Sequence, residues 1–142
     1  MELEITADLG QEERQFVREK LDEFNAEAFG PTTVEEFGLA IRDEAGNPIG
    51  GLTGSVLWDW LHIHVIWVSE ELRKQGLGSK LMLAGEQEGV KRGCKYAKLH
   101  TFSFQARPFY ERQGYQVIAE TKDFPEGHSQ YLMFKPLDVG SF

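Results

Sequence analysis

The sequence predicts a single α/β domain in which a mixed sheet carries helices, and three observations predict it. Its 142 residues suit one domain long enough to bury a core of its own. The composition is globular, with 41% hydrophobic and 27% charged residues, 10 Phe and 3 Trp. Stretches of period two and stretches of helical period follow one another in the order βαβββαβαββ, with no internal repeat, low-complexity segment or linker between them.

Residues 3–7 alternate as a short strand does. In residues 11–28, Phe16, Leu21, Phe24 and Ala28 recur at near-helical spacing behind an acidic start, and Gly30-Pro31 stops the helix. Residues 37–42 and 49–58 flank Glu44-Ala45-Gly46-Asn47, a polar segment of turn residues, and predict an antiparallel hairpin. Asp59 breaks the run. Residues 61–68 read as the fourth strand, with Leu61, Ile63, Val65 and Trp67 on one face and His62 and His64 on the other. A helix over 79–92 follows Gly76-Leu77-Gly78, and Gly93 stands where a C-cap glycine belongs. Residues 96–102 form the fifth strand. A short helix over 106–113 tolerates Pro108 in its first turn and ends at Gly114. Residues 115–120 and 130–135 make two last strands around Phe124-Pro125-Glu126-Gly127. The domain is expected to span 1–137, with 138–142 as a tail.

No stretch approaches the length of an apolar membrane span, and Met1-Glu2-Leu3-Glu4 is acidic where a signal peptide starts basic. A cytoplasmic location is therefore expected, with no membrane partner. The single cysteine, Cys94, makes neither an internal disulfide nor a zinc knuckle. Net charge is −8, a poor match to a nucleic acid. The charge is unevenly spread. Residues 1–72 hold 4 basic and 16 acidic groups, a net −12, whereas residues 73–112 hold 9 basic and 3 acidic, a net +6. A basic block in an acidic chain points to one anionic ligand there, with a solvated charged face as the plainer reading.

That block contains Val68-Ser-Glu-Glu-Leu-Arg73-Lys74-Gln75-Gly76-Leu77-Gly78-Ser79: a strand, a basic turn with two glycines, and a helix start. Unpaired amides at a helix N-terminus and glycines that let an anion approach suit a phosphate. The Walker A pattern fails, because Ser79 separates Gly78 from Lys80 and Lys74 stands where its first glycine should be. The dinucleotide pattern fails because Leu81 occupies its last glycine. What remains is Arg73-x-x-Gly76-x-Gly78, which resembles the acetyl-CoA pyrophosphate loop of the GCN5-related N-acetyltransferase (GNAT) superfamily. Downstream, Gln105-Ala106-Arg107-Pro108-Phe109-Tyr110-Glu111-Arg112-Gln113-Gly114-Tyr115 is similar to that family's second motif, a short helix with a Phe-Tyr pair ending at Gly-Tyr. One departure is Gln105, where many members have Asn.

The resemblance covers residues 1–137 and implies a GNAT-like mixed central sheet flanked by helices, with the fourth and fifth strands splayed apart. It implies acetyl-CoA as co-substrate. Its pantetheine arm would run along Ile66, Trp67 and Val68, and its pyrophosphate would sit on the amides of Gln75, Gly76, Leu77, Gly78 and Ser79 beside Arg73 and Lys74, with Gln105 and Phe109 as further contacts. Tyr110 corresponds to the family's thiolate-protonating tyrosine, and a phenol of pKa about 10 can protonate a thiolate of pKa about 8.5. The oxyanion donor would be a backbone amide near Val68. His62 lies at or near the position of a strand-four base, and an imidazole of pKa about 6.5 can accept a proton near neutrality; His64 and ordered water are the alternatives. His62 and His64 with His100 or His128 lack further zinc-ligand spacing, and no metal is expected. The partner is a small-molecule primary amine, with the acidic first half favouring a cationic one and a homodimer as an open assembly. Trp58 and Trp60 either line the acceptor pocket or fill the core. A non-catalytic acyl-CoA sensor and a nucleotide-binding protein are the rival classes; Tyr110 argues against the first and the two failed patterns against the second.

Overall fold

The computed structural model describes residues 2–137, which divide after Thr33 into two compact units. In the first unit, helix α1 (Gln11–Ala28) begins behind Gly10, whose backbone N–H donates to the Glu13 carboxylate at 3.1 Å. Glu12 and Glu13 in its first turn complement the helix dipole. The strand expected over 3–7 is not formed. Five alternating residues have no ladder partner there, and Leu3 and Ile5 stand exposed.

The second unit is built on strands β1 (Glu35–Arg42), β2 (Pro48–Leu57), β3 (Trp60–Val68), β4 (Tyr96–Phe102), β5 (Gln116–Lys122) and β6 (Ser129–Pro136), with helices α2 (Leu77–Lys91) and α3 (Arg107–Arg112). The six strands form one mixed sheet in the order β1-β2-β3-β4-β6-β5. β1 and β2 pair as the expected hairpin, with Gly46 at φ +89° in its turn. Among the described residues only β3 and β4 run parallel, because α2 crosses between them. They are the pair expected as fourth and fifth.

Helix α2 lies on one face of the sheet through Leu81, Met82, Gly85, Glu86 and Gly89, against a core of Leu52, Val56, Leu61, Ile63, Ala97, Leu99 and Met133. Two of its contacts need glycine. A Cβ on Gly85 would come within 3.0 Å of Leu52, and one on Gly89 within 3.0 Å of Leu61, so the helix sits closer to β2 and β3 than an alanine face would allow. Gly93 follows in the left-handed region at φ +90°, as the sequence predicts. Glu86 is buried and accepts from the Tyr115 hydroxyl and from Lys135 Nζ, both at 2.8 Å, tying α2 to β6 and to the residue before β5.

Strand β3 corrects the expected alternation. Thr53 pairs with Val65 but Gly54 pairs with Ile63, so His64 is an extra residue in a β-bulge. The bulge reverses the faces beyond it. Leu61 and Ile63 point into the core, but Val65 and Trp67 are about half exposed, and Ile66 and Val68 pack against the core instead. The β3–β4 ladder ends at Ile63 and Leu99, although β3 runs to Val68 and β4 to Phe102. Beyond Ile63 the two strands part, as the resemblance implies.

Candidate active site

The parted strands leave the β4-facing backbone edge of residues 64–68 without a strand partner. Val68 leads through a 3-10 turn, Glu70–Leu72, into the glycine turn. Arg73 Nε donates to the Val68 carbonyl oxygen at 3.1 Å, which ties the turn back to the strand end. Lys74 at φ +70° and Gly76 at φ +76° bracket Gln75 in left-handed backbone. A lysine held there costs on the order of 1 kcal/mol, a strain characteristic of functional loops. Helix α2 starts immediately after Gly76, and its first N–H groups have no intrahelical acceptor.

Ile66, Trp67, Val68, Arg73, Lys74, Gly76, Leu77, Gly78, Ser79, Phe109 and Tyr110 line one cleft of about 590 Å³. Eleven of the fourteen residues singled out in the sequence are thus brought together. Leu72, Ala106 and Arg112 complete the lining. Arg112 was legible, since it belongs to the second motif and to the basic block, and it adds a third cation to Arg73 and Lys74. Helix α3 is clasped to the start of α2: Gln113 Nε2 donates to Ser79 Oγ at 2.9 Å, and a Cβ on Gly78 would meet the Phe109 ring at 3.3 Å. The first glycine supplies the left-handed turn, and the second lets the Phe109 ring seat.

Tyr110 is half-buried, with its ring edge-on to Phe109 at 5.1 Å and to Tyr115 at 6.4 Å. Burial pushes its phenol above the ordinary tyrosine value, which keeps the hydroxyl protonated through the neutral range.

Gln75, Gln105 and His62 lie outside the cleft lining. The Gln105 carbonyl oxygen accepts from Phe102 N at 2.8 Å and from the Thr101 hydroxyl at 3.4 Å, so this side chain braces the end of β4. His62 lines a second pocket, of about 660 Å³, together with Ser55, Trp58, Trp60, His64 and Lys98. That pocket lies on the sheet face opposite α2, because His62 alternates with the core residues Leu61 and Ile63. The His62 ring is 4.1 Å from that of His64 and 5.5 Å from that of His100. Burial first, then the neighbouring His64, Lys98 and His100, pulls His62 down to a pKa of about 4, below the 6.5 assumed from its sequence. Ser55 Oγ and His64 Nε2 are hydrogen-bonded at 2.7 Å. Among the described residues no group of three or more His, Cys, Asp or Glu is placed to hold a metal ion, and no helix is long and apolar enough to cross a membrane.

A mixed sheet whose parallel pair parts beside a glycine turn and a Tyr-bearing helix defines an acyl-CoA-dependent transferase. The chain belongs to the acetyltransferase (GNAT) family, whose model matches residues 3–115. It is 40% identical over 95 residues to blasticidin-S acetyltransferase of Streptomyces morookaense, covering 66% of this chain and 70% of that one. It is 31% identical over 118 residues to an acetyltransferase of Agrobacterium fabrum, covering 83% and 86%. The crystal structure of an acetyltransferase from Bacillus cereus superposes with a TM-score of 0.88 at 32% identity, covering 94% of this chain and 98% of that one. The activity that goes with this family is N-acetyl transfer, and the acetyl donor is acetyl-CoA.

Proposed function

We propose that this chain, acting through one N-acetyltransferase domain over 1–137, transfers the acetyl group of acetyl-CoA directly to the primary amine of a small molecule. The observation that carries the reading is the unpaired edge of β3 beyond Ile63, which runs into the glycine turn while Tyr110 lines the same cleft. The 40% identity to an acetyltransferase named for an antibiotic supports a small-molecule acceptor.

Three jobs fall to the chain. The amides of Gln75 to Ser79, with Arg73, Lys74 and Arg112, hold the pyrophosphate; the backbone of Ile66 to Val68 aligns the pantetheine arm as an added strand would. A backbone amide near Val68 receives the developing oxyanion. As the amine nitrogen bonds to the acetyl carbon and the carbon–sulfur bond breaks, the Tyr110 hydroxyl gives its proton to the departing thiolate. The transfer is uphill by about 1.4 kcal/mol per pKa unit, a modest fraction of the barrier.

The acceptor enters from the opposite sheet face. The 660 Å³ pocket there is lined by His62 and His64 of β3 and by Lys98 of β4, at the base of the parting. His62 is the group that takes the acceptor's proton. Held at about 4, its imidazole is neutral at pH 7 and free to accept, but it is a weak base, so the amine itself must contribute by low basicity or by a desolvated, easily lost proton. The carboxylates do not gather at this pocket: of the sixteen acidic residues in 1–72, Glu36 alone lines it. A cationic acceptor is therefore supported to the extent of a single positive charge.

The test is thiol release from acetyl-CoA across an amine panel, with calorimetry of acetyl-CoA on wild type and on a Gly76→Val, Gly78→Val double variant. Turnover with at least one primary amine and at least tenfold weaker acetyl-CoA binding in the variant are expected, since a branched residue is strained at the left-handed Gly76 and displaces the Phe109 ring at Gly78, which together disturb the turn that presents the amides. Equal affinity in both proteins would sink the assignment of the turn.

A further inference from the structure

The pocket on the sheet face limits the body of the acceptor as well as its amine, a step that rests on the acetyl-transfer reading above. Its volume of about 660 Å³ is that of a small-molecule site. Its walls are apolar, with Leu57, Ile118 and Leu132 beside the two indoles of Trp58 and Trp60. Trp60 is a fixed wall, stacked on Tyr96 at 4.9 Å and tilted against Phe134 at 6.2 Å. Trp58 is about half exposed and sits at φ +53° in the β2–β3 turn, so its ring is presented at the mouth. The polar groups form a band across the sheet: Glu36, Ser55, His62 and Lys98 stand in register on β1 to β4, and His64 is hydrogen-bonded to Ser55 beside them.

We propose that the acceptor is a single amine borne on a flat aromatic or heteroaromatic body, with the ring against Trp58 and Trp60 and the amine at the His62–His64 edge. Flat rings gain from offset stacking and edge contacts with indoles beyond the area they bury. A polyamine or a many-ammonium sugar does not fit. It would bring several charges to a pocket in which Glu36 is the only carboxylate among the described residues, and the surplus would be desolvated against apolar walls and beside Lys98. His64 lies two residues before Ile66, about 7 Å along an extended strand. A short arm between ring and amine therefore spans from the pocket to the parting of β3 and β4, where the acetyl group is delivered.

The probe is tryptamine, with spermidine as the comparator, each titrated by calorimetry into protein saturated with coenzyme A. The variants are Trp58→Gly, which removes the ring and suits the left-handed backbone, and Trp58→Phe. Tryptamine is expected to bind, with a dissociation constant about tenfold higher in Trp58→Gly and largely restored in Trp58→Phe. Coenzyme A affinity should stay unchanged in both, which reports an intact fold. Failure of tryptamine to bind, an unchanged constant in Trp58→Gly, or tighter binding of spermidine overturns the proposal. Binding as expected without thiol release from acetyl-CoA upholds the pocket and refutes catalysis, so the two readings fail separately.

Discussion

Removing the Glu86 carboxylate should unfold more of this protein's stability than any change at its surface. Glu86 is 2% exposed and accepts from Tyr115 Oη and Lys135 Nζ, both at 2.8 Å. Glu86→Ala leaves a half-buried ammonium and a buried phenol without their acceptor. Breaking such a pair from one side costs about 3–5 kcal/mol. For 142 residues, an unfolding entropy of roughly 0.3 kcal/mol/K makes that a fall in Tm of about 10–17 °C. Tyr115→Phe removes one hydrogen bond to a charged group and should cost about 1.5–3 kcal/mol. Because both variants break one network, the double variant should cost less than the two single losses together. Urea unfolding with a shared m-value measures all three. A Glu86→Ala loss below about 1 kcal/mol, or strict additivity with Tyr115→Phe, would refute the reasoning, since the first means that Lys135 and Tyr115 are satisfied equally well without the carboxylate and the second that the two changes do not share one network.

Tyr110→Phe keeps the ring contacts with Phe109 and Tyr115 but removes the proton donor; kcat should fall about 10²- to 10⁴-fold at unchanged acetyl-CoA affinity, and wild-type turnover would remove Tyr110 from the reaction. Gly51→Ala places a Cβ 2.9 Å from the Leu39 carbonyl oxygen, which belongs to backbone and cannot swing away, so stability should drop by about 1–3 kcal/mol in urea. His62, with a folded-state pKa near 4 and an unfolded value near 6.5, contributes stability that is complete above about pH 6.5 and is lost as pH falls toward 4. The Tm of wild type should therefore decline across that window more than that of His62→Gln; parallel declines would show that the histidine is not held neutral. In kcat/KM, a His62-dependent acidic limb belongs near pH 4 rather than near 6–7, and it should vanish in the same variant.

Nine of the ten elements expected from the sequence are present, and the exception is instructive. Residues 3–7 alternate correctly, but alternation describes a strand that has an edge to join, and it does not say whether one exists. The turn at 73–79 and the Phe-Tyr helix were legible because their chemistry is local: glycines, cations and a helix start adjoin in the chain. The bulge at His64 was not. Nothing in Leu61-His62-Ile63-His64-Val65-Ile66-Trp67-Val68 distinguishes a regular ladder from one with an extra residue, since the shift shows only in the pairing with β2, where Thr53 meets Val65 and Gly54 meets Ile63. The Glu86 network was hidden for a related reason. A glutamate on a helix reads as solvent-facing until Lys135, 49 residues away, is brought to it.

The bulge in β3 also writes a rule for how this chain can vary. The strand is two half-strands of opposite parity, with inward positions 61 and 63 before His64 and 66 and 68 after it. Polar residues should be tolerated at 65 and 67 and rejected at 66 and 68, the reverse of what uninterrupted alternation from Leu61 would demand. Deleting His64 would leave a regular ladder with Ile66 and Val68 still inward, whereas inserting one residue between 64 and 65 with the bulge kept would turn Val65 and Trp67 inward and empty the wall of the cleft formed by Ile66 and Val68. A one-residue insertion there acts on the strand as a frameshift acts on a gene, leaving everything upstream in register and everything downstream on the wrong face, while the matching deletion is absorbed by the bulge.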